Sequence, residues 1–156
     1  MITSVLFVCH ANTARSVMAH ALLEHMLVER SAVDRVRVRS GGVASWARDG
    51  MLPSLDARLA LREIGVHLAE NGFASTALRY HRELIAEADL VLTMTREQKT
   101  MVSVLAEARG TILTLREFAG EEGDIGDPSA GGEEGFRACL DVIQRCLDRT
   151  IERFLS

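Results

Sequence analysis

Short runs of β-branched apolar residues alternate along the chain with segments of helical periodicity, and this alternation constrains the fold more than any other feature. Strands are predicted over residues 2–8, 36–40, 89–94 and 111–115. Amphipathic helices are predicted over residues 16–30, 54–64, 81–88, 95–108 and 135–155. Strands separated by helices pair in parallel and carry helices on both faces. The sequence therefore predicts an α/β protein with three layers, α/β/α, around a four-stranded parallel sheet.

The composition is that of an ordinary globular protein, and it excludes several functional classes. Apolar residues make up 47% and charged residues 26% of the 156 residues, which suits one domain spanning 1–156. The net charge of −4 gives no basic footprint, so no nucleic-acid partner is expected. The first apolar run, residues 5–9, is too short to cross a membrane, and no membrane association is expected.

Three cysteines are present, Cys9, Cys139 and Cys146, without any Cys-x-x-Cys pair. An odd number without that spacing argues against a disulfide framework and against a zinc site. We therefore expect no metal and a reducing, cytoplasmic environment. Cys139 and Cys146 lie seven residues apart in the last predicted helix, on or beside its apolar stripe, which favours packing in the core.

Arginines alternate through the second predicted strand at Arg35, Arg37 and Arg39. Alternation of this kind is typical of the solvated face of a strand. The other interpretation is a local basic rim that attracts an anionic substrate.

The first predicted strand ends at Cys9, and the segment Cys9-His-Ala-Asn-Thr-Ala-Arg-Ser16 leads into the first predicted helix. Sites in parallel sheets lie outside the carboxyl ends of the strands. A tight loop before a helix N-terminus directs several backbone N–H groups at one point, where a tetrahedral oxyanion such as phosphate fits. Arg15 would grip two oxygens of that anion. The same field favours a thiolate at Cys9, which is a nucleophile for in-line attack on phosphorus.

In-line attack also needs an acid that protonates the leaving group, and Asp127 is the candidate. Pro128 follows it and stiffens the backbone. Asp127 lies in an acidic stretch, residues 117–134, that contains no lysine or arginine. Neighbouring negative charge disfavours ionisation, so we expect the pKa of Asp127 to be raised. A solvated acidic turn is the alternative interpretation.

Together these residues resemble the signature of the low-molecular-weight protein tyrosine phosphatases. In that family a Cys-x5-Arg-Ser loop directly follows the first strand and an Asp-Pro pair lies near the carboxyl end. The match continues through Arg39-Ser-Gly-Gly-Val43, Pro53-Ser-Leu-Asp-Ala57 and Glu87-Ala-Asp-Leu-Val-Leu92, and covers essentially the whole chain. The resemblance implies the flavodoxin-like fold of the family, no cofactor, and a phosphorylated protein substrate. It also implies that inorganic phosphate or another oxyanion can occupy the loop.

The resemblance further implies a role for each site residue. Cys9 would attack phosphorus to form a phosphocysteine, while Asp127 would protonate the leaving group and then activate water. Arg15 would hold the phosphoryl oxygens, and Ser16 would donate a hydrogen bond to the Cys9 sulfur. Ser40 would brace the left-handed backbone of Asn12, and Pro128 would support Asp127. The residues expected to line the substrate site are His10, Ala11, Asn12, Thr13, Ala14, Ser16 and the aromatic wall Trp46.

One branch of the family acts on phosphoarginine, with a threonine at the fifth loop position where tyrosine phosphatases usually carry isoleucine or leucine. The chain has Thr13 at that position, and residues 92–99 and 113–118 also resemble this branch. A threonine hydroxyl can orient a water or a guanidinium N–H, and isoleucine cannot. We therefore expect a phosphatase acting on phosphotyrosine or phosphoarginine in proteins, most like the arginine branch.

Two alternatives stay open at this point. The chain departs from the family pattern at Ala11, Ala14, Val17 and Ser129, where glycine, cysteine, proline and an aromatic residue are usual, so a phosphate-binding module without turnover is one alternative. Arsenate reductases share the fold and the loop but need two further cysteines as a disulfide relay. Cys139 and Cys146 would have to supply it.

Overall fold

Four parallel strands form the sheet that the sequence alternation predicts. The structure is a computed structural model that describes residues 1–69 and 72–156. The strands are β1 (Ser4–Cys9), β2 (Arg37–Gly42), β3 (Leu90–Thr93) and β4 (Thr111–Thr114), in the order β2-β1-β3-β4. All the pairings are parallel, and Cys9 at the end of β1 lies beside Gly42 of β2. The predicted α/β fold with a four-stranded parallel sheet is confirmed.

Helices cover both faces of the sheet because both faces of β1 are apolar. Val5 and Phe7 pack into one core, and Leu6 and Val8 pack into the other. The first core lies under α1 (Arg15–Glu29), α2 (Leu55–Glu63), α5 (Leu115–Phe118) and α6 (Gly132–Leu155). The second core lies under α3 (Glu83–Glu87) and α4 (Arg96–Leu105). Two short 3₁₀ turns, Leu78–Tyr80 and Ser129–Gly131, precede α3 and α6.

Three boundaries differ from the sequence prediction. The single-turn α5 lies where a loop was expected, because the Thr114 side chain and the Glu117 side chain cap it reciprocally. The last helix begins at Gly132 rather than at residue 135. Helix α4 ends at Leu105 rather than at residue 108, and the following chain contacts α3, where Arg109 N–H donates to the Ala86 carbonyl at 3.3 Å.

The alternating arginines lie far from the carboxyl ends of the strands. Arg37 pairs with Ser4 and Arg39 with Leu6, near the amino end of β1, whereas Cys9 ends that strand. The interpretation of these arginines as a rim that attracts substrate to the Cys9 loop is therefore wrong. They are exposed residues of an edge strand, where charge opposes pairing with another sheet. Among the described helices, none has the length and apolar character needed to cross a membrane.

Candidate active site

The loop between β1 and α1, residues 10–14, ends in a helix N-terminus without a cap. Ala14 at the N-cap position provides no side-chain acceptor, and the first turn of α1 contains no acidic residue. Within the described part of the chain, the backbone N–H groups of residues 13–16 have no hydrogen-bond acceptor. Buried helix ends normally satisfy such groups. An oxyanion bound in the loop would accept from them.

Gly42 allows the loop to approach the sheet closely. A Cβ atom at this position would lie 2.7 Å from the His10 carbonyl oxygen, which is closer than side chains tolerate. The loop is then joined to the chain after β2, because the N–H groups of Val43 and Ala44 donate to the carbonyls of Cys9 and His10 at 2.9 and 3.0 Å. Gly42 and the two hydrogen bonds that follow it therefore fix the position of the loop.

The Cys9 sulfur lies at the base of this loop and is 3% exposed. It accepts a hydrogen bond from the Asn12 N–H at 3.3 Å and lies 2.9 Å from the Ser16 hydroxyl oxygen. That oxygen accepts from the Asn12 side-chain amide at 2.8 Å, which leaves the hydroxyl proton to point at the sulfur. The sulfur is thus contacted by two donors, in the arrangement that a thiolate nucleophile and leaving group requires.

Asn12 adopts the left-handed conformation, with φ of 62°, and its side chain is almost fully buried. Asparagine tolerates this region better than most residues. The Oδ1 atom of the Asn12 side chain accepts from the Thr76 N–H at 2.9 Å. The expectation that Ser40 braces the Asn12 backbone is corrected. The Ser40 hydroxyl hydrogen-bonds to the His20 ring at 2.8 Å instead. Nothing in the local sequence around residue 76 signals this contact, which spans 64 positions.

Arg15 is buried and held from the opposite end of the chain. Its Nη1 atom donates to the Ile125 carbonyl at 2.8 Å, and Ile125 N–H donates to the Met94 carbonyl at the end of β3 at 2.8 Å. The guanidinium has five N–H donors in a planar fork. With one nitrogen anchored to Ile125, the fork is fixed at the cavity that Arg15 lines together with Cys9. The Ile125 carbonyl is a site group that sequence reasoning missed.

Asp127 lines the same cavity as Cys9 and Arg15, although 118 positions separate it from Cys9 along the chain. Its Oδ1 atom accepts from the backbone N–H of Ser129 at 2.9 Å and from the Ser129 hydroxyl at 2.6 Å. These hydrogen bonds, first that of the hydroxyl, hold the pKa of Asp127 below its ordinary value, and the nearby Arg15 lowers it further. The expected rise in this pKa is therefore wrong.

Two acidic residues in the same stretch as Asp127 are paired with basic residues distant in sequence. Glu121 accepts from Arg145 and Arg149 of α6 at 2.9 Å each. Lys99 pairs with Glu117 at 2.8 Å. The segment that is uniformly acidic in the sequence is thus partly paired with cations in the fold.

The cavity above the loop has a volume of about 490 Å³. Trp46 stands at its mouth, 64% exposed, with its ring 6.5 Å from that of His10. Pro128 lies outside the lining and starts the 3₁₀ turn that carries Ser129, accepting from Gly131 N–H at 3.0 Å. Of the residues predicted to line the substrate site, the cavity contacts His10, Ala11, Thr13, Ala14 and Trp46, and it adds Ala47, Arg48, Met51 and Ser129.

The chain after β2 that carries Trp46, residues 43–51, is called here the wall segment. It is fixed by a second stretch, residues 75–81, called the anchoring segment. The Ser75 hydroxyl donates to the Arg48 carbonyl and accepts from the Met51 N–H, at 2.5 and 2.8 Å. Arg79 donates from Nη1 to the carbonyls of Ala44 and Ala47. Asp49 accepts from Ala77 N–H at 2.7 Å and pairs with His81 at 2.8 Å, which lowers the pKa of Asp49 and raises that of His81.

Cys139 and Cys146 are both buried in α6, as expected for core residues. Burial raises the pKa of the Cys139 thiol to about 11 and raises that of Cys146 as well. Both thiols therefore remain protonated at neutral pH, and they lie inside a continuous helix, which does not suit a disulfide relay. In the described residues, no group of three histidine, cysteine or acidic side chains is placed to hold a metal ion.

Comparison with known proteins agrees with this site. The family model described as low molecular weight phosphotyrosine protein phosphatase matches residues 4–154. The chain belongs to this family. It is therefore a protein phosphatase, and hence a hydrolase.

Relatives of both substrate types are found among the low-molecular-weight phosphatases. A protein-arginine-phosphatase of Geobacillus stearothermophilus is 38% identical over 151 residues, covering 96% of this chain and 94% of the relative. A probable low molecular weight protein-tyrosine-phosphatase, EpsP of Ralstonia nicotianae, is 31% identical over 154 residues, covering 98% and 97%. A solved structure of YwlE arginine phosphatase, a mutant with a phosphorylated active-site serine, superposes with a TM-score of 0.86 at 31% identity, covering 99% and 97%.

Proposed function

We propose that this low-molecular-weight phosphatase hydrolyses phosphoarginine in proteins, with Cys9 as nucleophile, Arg15 as phosphoryl clamp and Asp127 as general acid and base. The observation that carries this proposal is that two hydroxyl-bearing residues, Thr13 and Ser129, line the cavity beside Cys9, Arg15 and Asp127. The guanidine group of phosphoarginine offers N–H donors that hydroxyl oxygens accept, whereas the ring of phosphotyrosine offers none. The arginine phosphatase relative at 38% identity also supports this substrate.

The first step forms a phosphocysteine. The phosphoryl oxygens accept hydrogen bonds from the uncapped backbone N–H groups of the loop and from the guanidinium of Arg15. These donors stabilise the negative charge that is spread over the oxygens in the transition state. The Cys9 sulfur attacks phosphorus, the bond from phosphorus to the arginine nitrogen breaks, and Asp127 gives its proton to that nitrogen. The dianionic phosphoryl group beside Asp127 favours the protonated carboxyl in the complex, since a like charge opposes ionisation.

The second step returns the free enzyme. Asp127, now a carboxylate, takes a proton from a water molecule that attacks phosphorus. The bond from sulfur to phosphorus breaks. The leaving sulfur accepts hydrogen bonds from the Ser16 hydroxyl and the Asn12 N–H, which lie 2.9 and 3.3 Å from it. Inorganic phosphate then remains in the loop until it dissociates. The reaction requires Cys9 as a free thiol, which is consistent with a reducing, cytoplasmic setting.

The decisive experiment compares two peptides of the same sequence, one with phosphoarginine and one with phosphotyrosine, on the wild type and on Thr13→Ile. If the Thr13 hydroxyl orients the guanidine group, the ratio of kcat/KM for phosphoarginine over phosphotyrosine falls about tenfold, as expected for one lost hydrogen bond to a charged group. Thr13→Ser keeps the hydroxyl and should keep the ratio. An unchanged ratio in Thr13→Ile would remove the basis for the arginine assignment.

One further variant and two assays of the wild type define the baseline of this experiment. Cys9→Ser should abolish turnover of both peptides and of p-nitrophenyl phosphate, because the hydroxyl is a far weaker nucleophile than the thiolate. Tight phosphate binding by the wild type without any turnover would instead favour the non-catalytic module. Arsenate reduction coupled to thioredoxin would favour the reductase.

A further inference from the structure

Four large apolar side chains are exposed within ten residues of one another, beside the mouth of the active-site cavity. Trp46, Met51, Leu52 and Leu55 are 64%, 47%, 61% and 67% exposed, and we refer to them as the apolar rim. Exposed valines elsewhere, such as Val28 and Val104, lie singly on helices. Scattered exposed apolar residues are ordinary, but a concentrated group marks an interaction surface.

The apolar rim is continuous with the catalytic cavity. Trp46 and Met51 line the cavity that contains Cys9. Beyond them the chain is attached to the catalytic loop itself, since the Ser54 N–H donates to the Thr13 carbonyl at 2.8 Å. Leu52 and Leu55 flank this attachment point along the chain, so the rim extends from the cavity outward beside Thr13.

The backbone beneath the rim is fixed rather than loose. Ser75 makes four hydrogen bonds to it, which include its N–H donating to the Met51 carbonyl at 2.9 Å and its carbonyl accepting from Gly50 N–H at 2.9 Å. At the far end, Ser54 caps α2 through a hydrogen bond from Ala57 N–H at 3.2 Å. A surface that is ordered before binding pays little conformational entropy when a partner docks.

We propose that the apolar rim is the docking surface for the polypeptide that flanks the phosphorylated residue, and that it selects substrates with apolar side chains beside that residue. A protein substrate can place its phosphoryl group on Cys9 only by crossing this mouth, so the neighbouring residues of the substrate lie over the rim. Residues two or three positions away extend about 7–10 Å from the reacting side chain, which reaches beyond the cavity mouth. The inference rests on the proposed function only in requiring a phosphorylated protein, whichever residue carries the phosphate.

The test uses phosphopeptide pairs that differ only in carrying leucine or serine at the positions flanking the phosphorylated residue. On the wild type, the leucine peptide should have the higher kcat/KM by about tenfold, through a lower KM. The double variant Leu52→Ser/Leu55→Ser should lose this preference, with kcat/KM for the leucine peptide falling relative to that for p-nitrophenyl phosphate, which has no flanking chain. The matched control Val28→Ser/Val104→Ser removes two exposed apolar side chains away from the cavity and should keep the preference.

A binding measurement separates failure of the rim from failure of the proposed function. In the Cys9→Ser background, Trp46 is the only tryptophan and reports peptide binding at the rim by its fluorescence. A lower Kd for the leucine peptide that disappears in Leu52→Ser/Leu55→Ser supports the proposal even when the wild type turns over neither phosphoarginine nor phosphotyrosine. Equal Kd values for the two peptides would overturn it. So would a concentration-dependent dimer that the double variant abolishes, because the rim would then be covered by a second copy of the chain.

Discussion

The Ser129 hydroxyl hydrogen-bonds to Asp127, the carboxyl that we propose as the general acid. Because its hydrogen bond is the largest cause of the lowered pKa of Asp127, Ser129→Ala should raise that pKa toward its ordinary value. The general acid must be protonated to act, so a higher pKa keeps it active to higher pH. The alkaline limb of the kcat/KM profile, which reports the free enzyme, should move upward in pH. Ser129→Thr retains a hydroxyl and should keep the wild-type profile, and a limb that stays in place in Ser129→Ala would contradict this role.

At the residue scale, the sequence predicts the groups that share one loop and misses those that other segments supply. Cys9, Arg15 and Ser16 lie within eight positions, and their spacing on a strand-loop-helix frame is sufficient to place them around one anion. The pKa of Asp127 is lowered by Ser129 and Arg15, and Glu121 of the same acidic stretch pairs with arginines 24 and 28 positions away. The local composition shows the negative charges of the stretch but not the cations, distant in sequence, that pair with Glu121.

Arg79 joins two elements, because its guanidinium donates to two carbonyls of the wall segment from the anchoring segment. We expect Arg79→Ala to leave both carbonyls without this donor, to destabilise the fold by about 1–2 kcal/mol and to loosen the wall. Amide hydrogen exchange at residues 44–48 should then accelerate, and KM for phosphopeptides should rise as Trp46 loses its fixed position. Arg82→Ala, which removes an exposed arginine nearby, is the matched control. Unchanged exchange in the wall segment of Arg79→Ala would show that the other anchors suffice.

At the element scale, periodicity identifies the four strands and the long helices but not the short capped turn. A capping box of Thr95 and Gln98 stands at the start of a long helical pattern, and α4 begins there in the structure. The Thr114–Glu117 box has the same chemistry, yet it caps only the four residues of α5 before glycine follows. A single turn carries too little periodicity to be separated from a loop. The anchoring segment gives no signal in the sequence for a different reason, since its Ser75, Arg79 and His81 side chains contact residues 24–35 positions away.

The whole sheet brings the site together through an order of strands that the sequence does not specify. With β1 between β2 and β3, the Cys9 loop is flanked on one side by the wall segment that follows β2. On the other side lies the end of β3, where Met94 holds Ile125 and thereby Arg15. The hydrophobic pattern of the sequence indicates that the strands are buried, and their alternation with helices indicates that they pair in parallel. Which strand lies beside which depends on the packing of the complete molecule.

Asp89 ties the amino ends of three strands together, and its removal should weaken the molecule as a whole. It accepts from the Thr3 hydroxyl at 2.6 Å, from the Thr3 N–H at 2.7 Å and from Arg109 before β4 at 2.6 Å. These contacts, that of the Thr3 hydroxyl first, lower the pKa of Asp89 to about 2. A lowered pKa in the folded state stabilises the protein above the ordinary value of 3.8, and this contribution is lost as pH falls toward 2.

Asp89→Asn should therefore reduce the free energy of unfolding at pH 7 by about 1–2 kcal/mol, less than the full pKa difference implies because the side chain is partly exposed. Urea unfolding from pH 7 to pH 2 should show the difference in stability between wild type and variant narrowing as pH falls from about 4 to 2, since Asp89 is protonated below 3.8 in the unfolded chain but only near pH 2 in the folded protein. The control Asp34→Asn removes an exposed carboxylate that has no ion-pair partner among the described residues, and its stability should follow the wild type at every pH. A constant difference between Asp89→Asn and wild type across the acid range would mean that packing, and not the charge of Asp89, joins the strands at this end of the sheet.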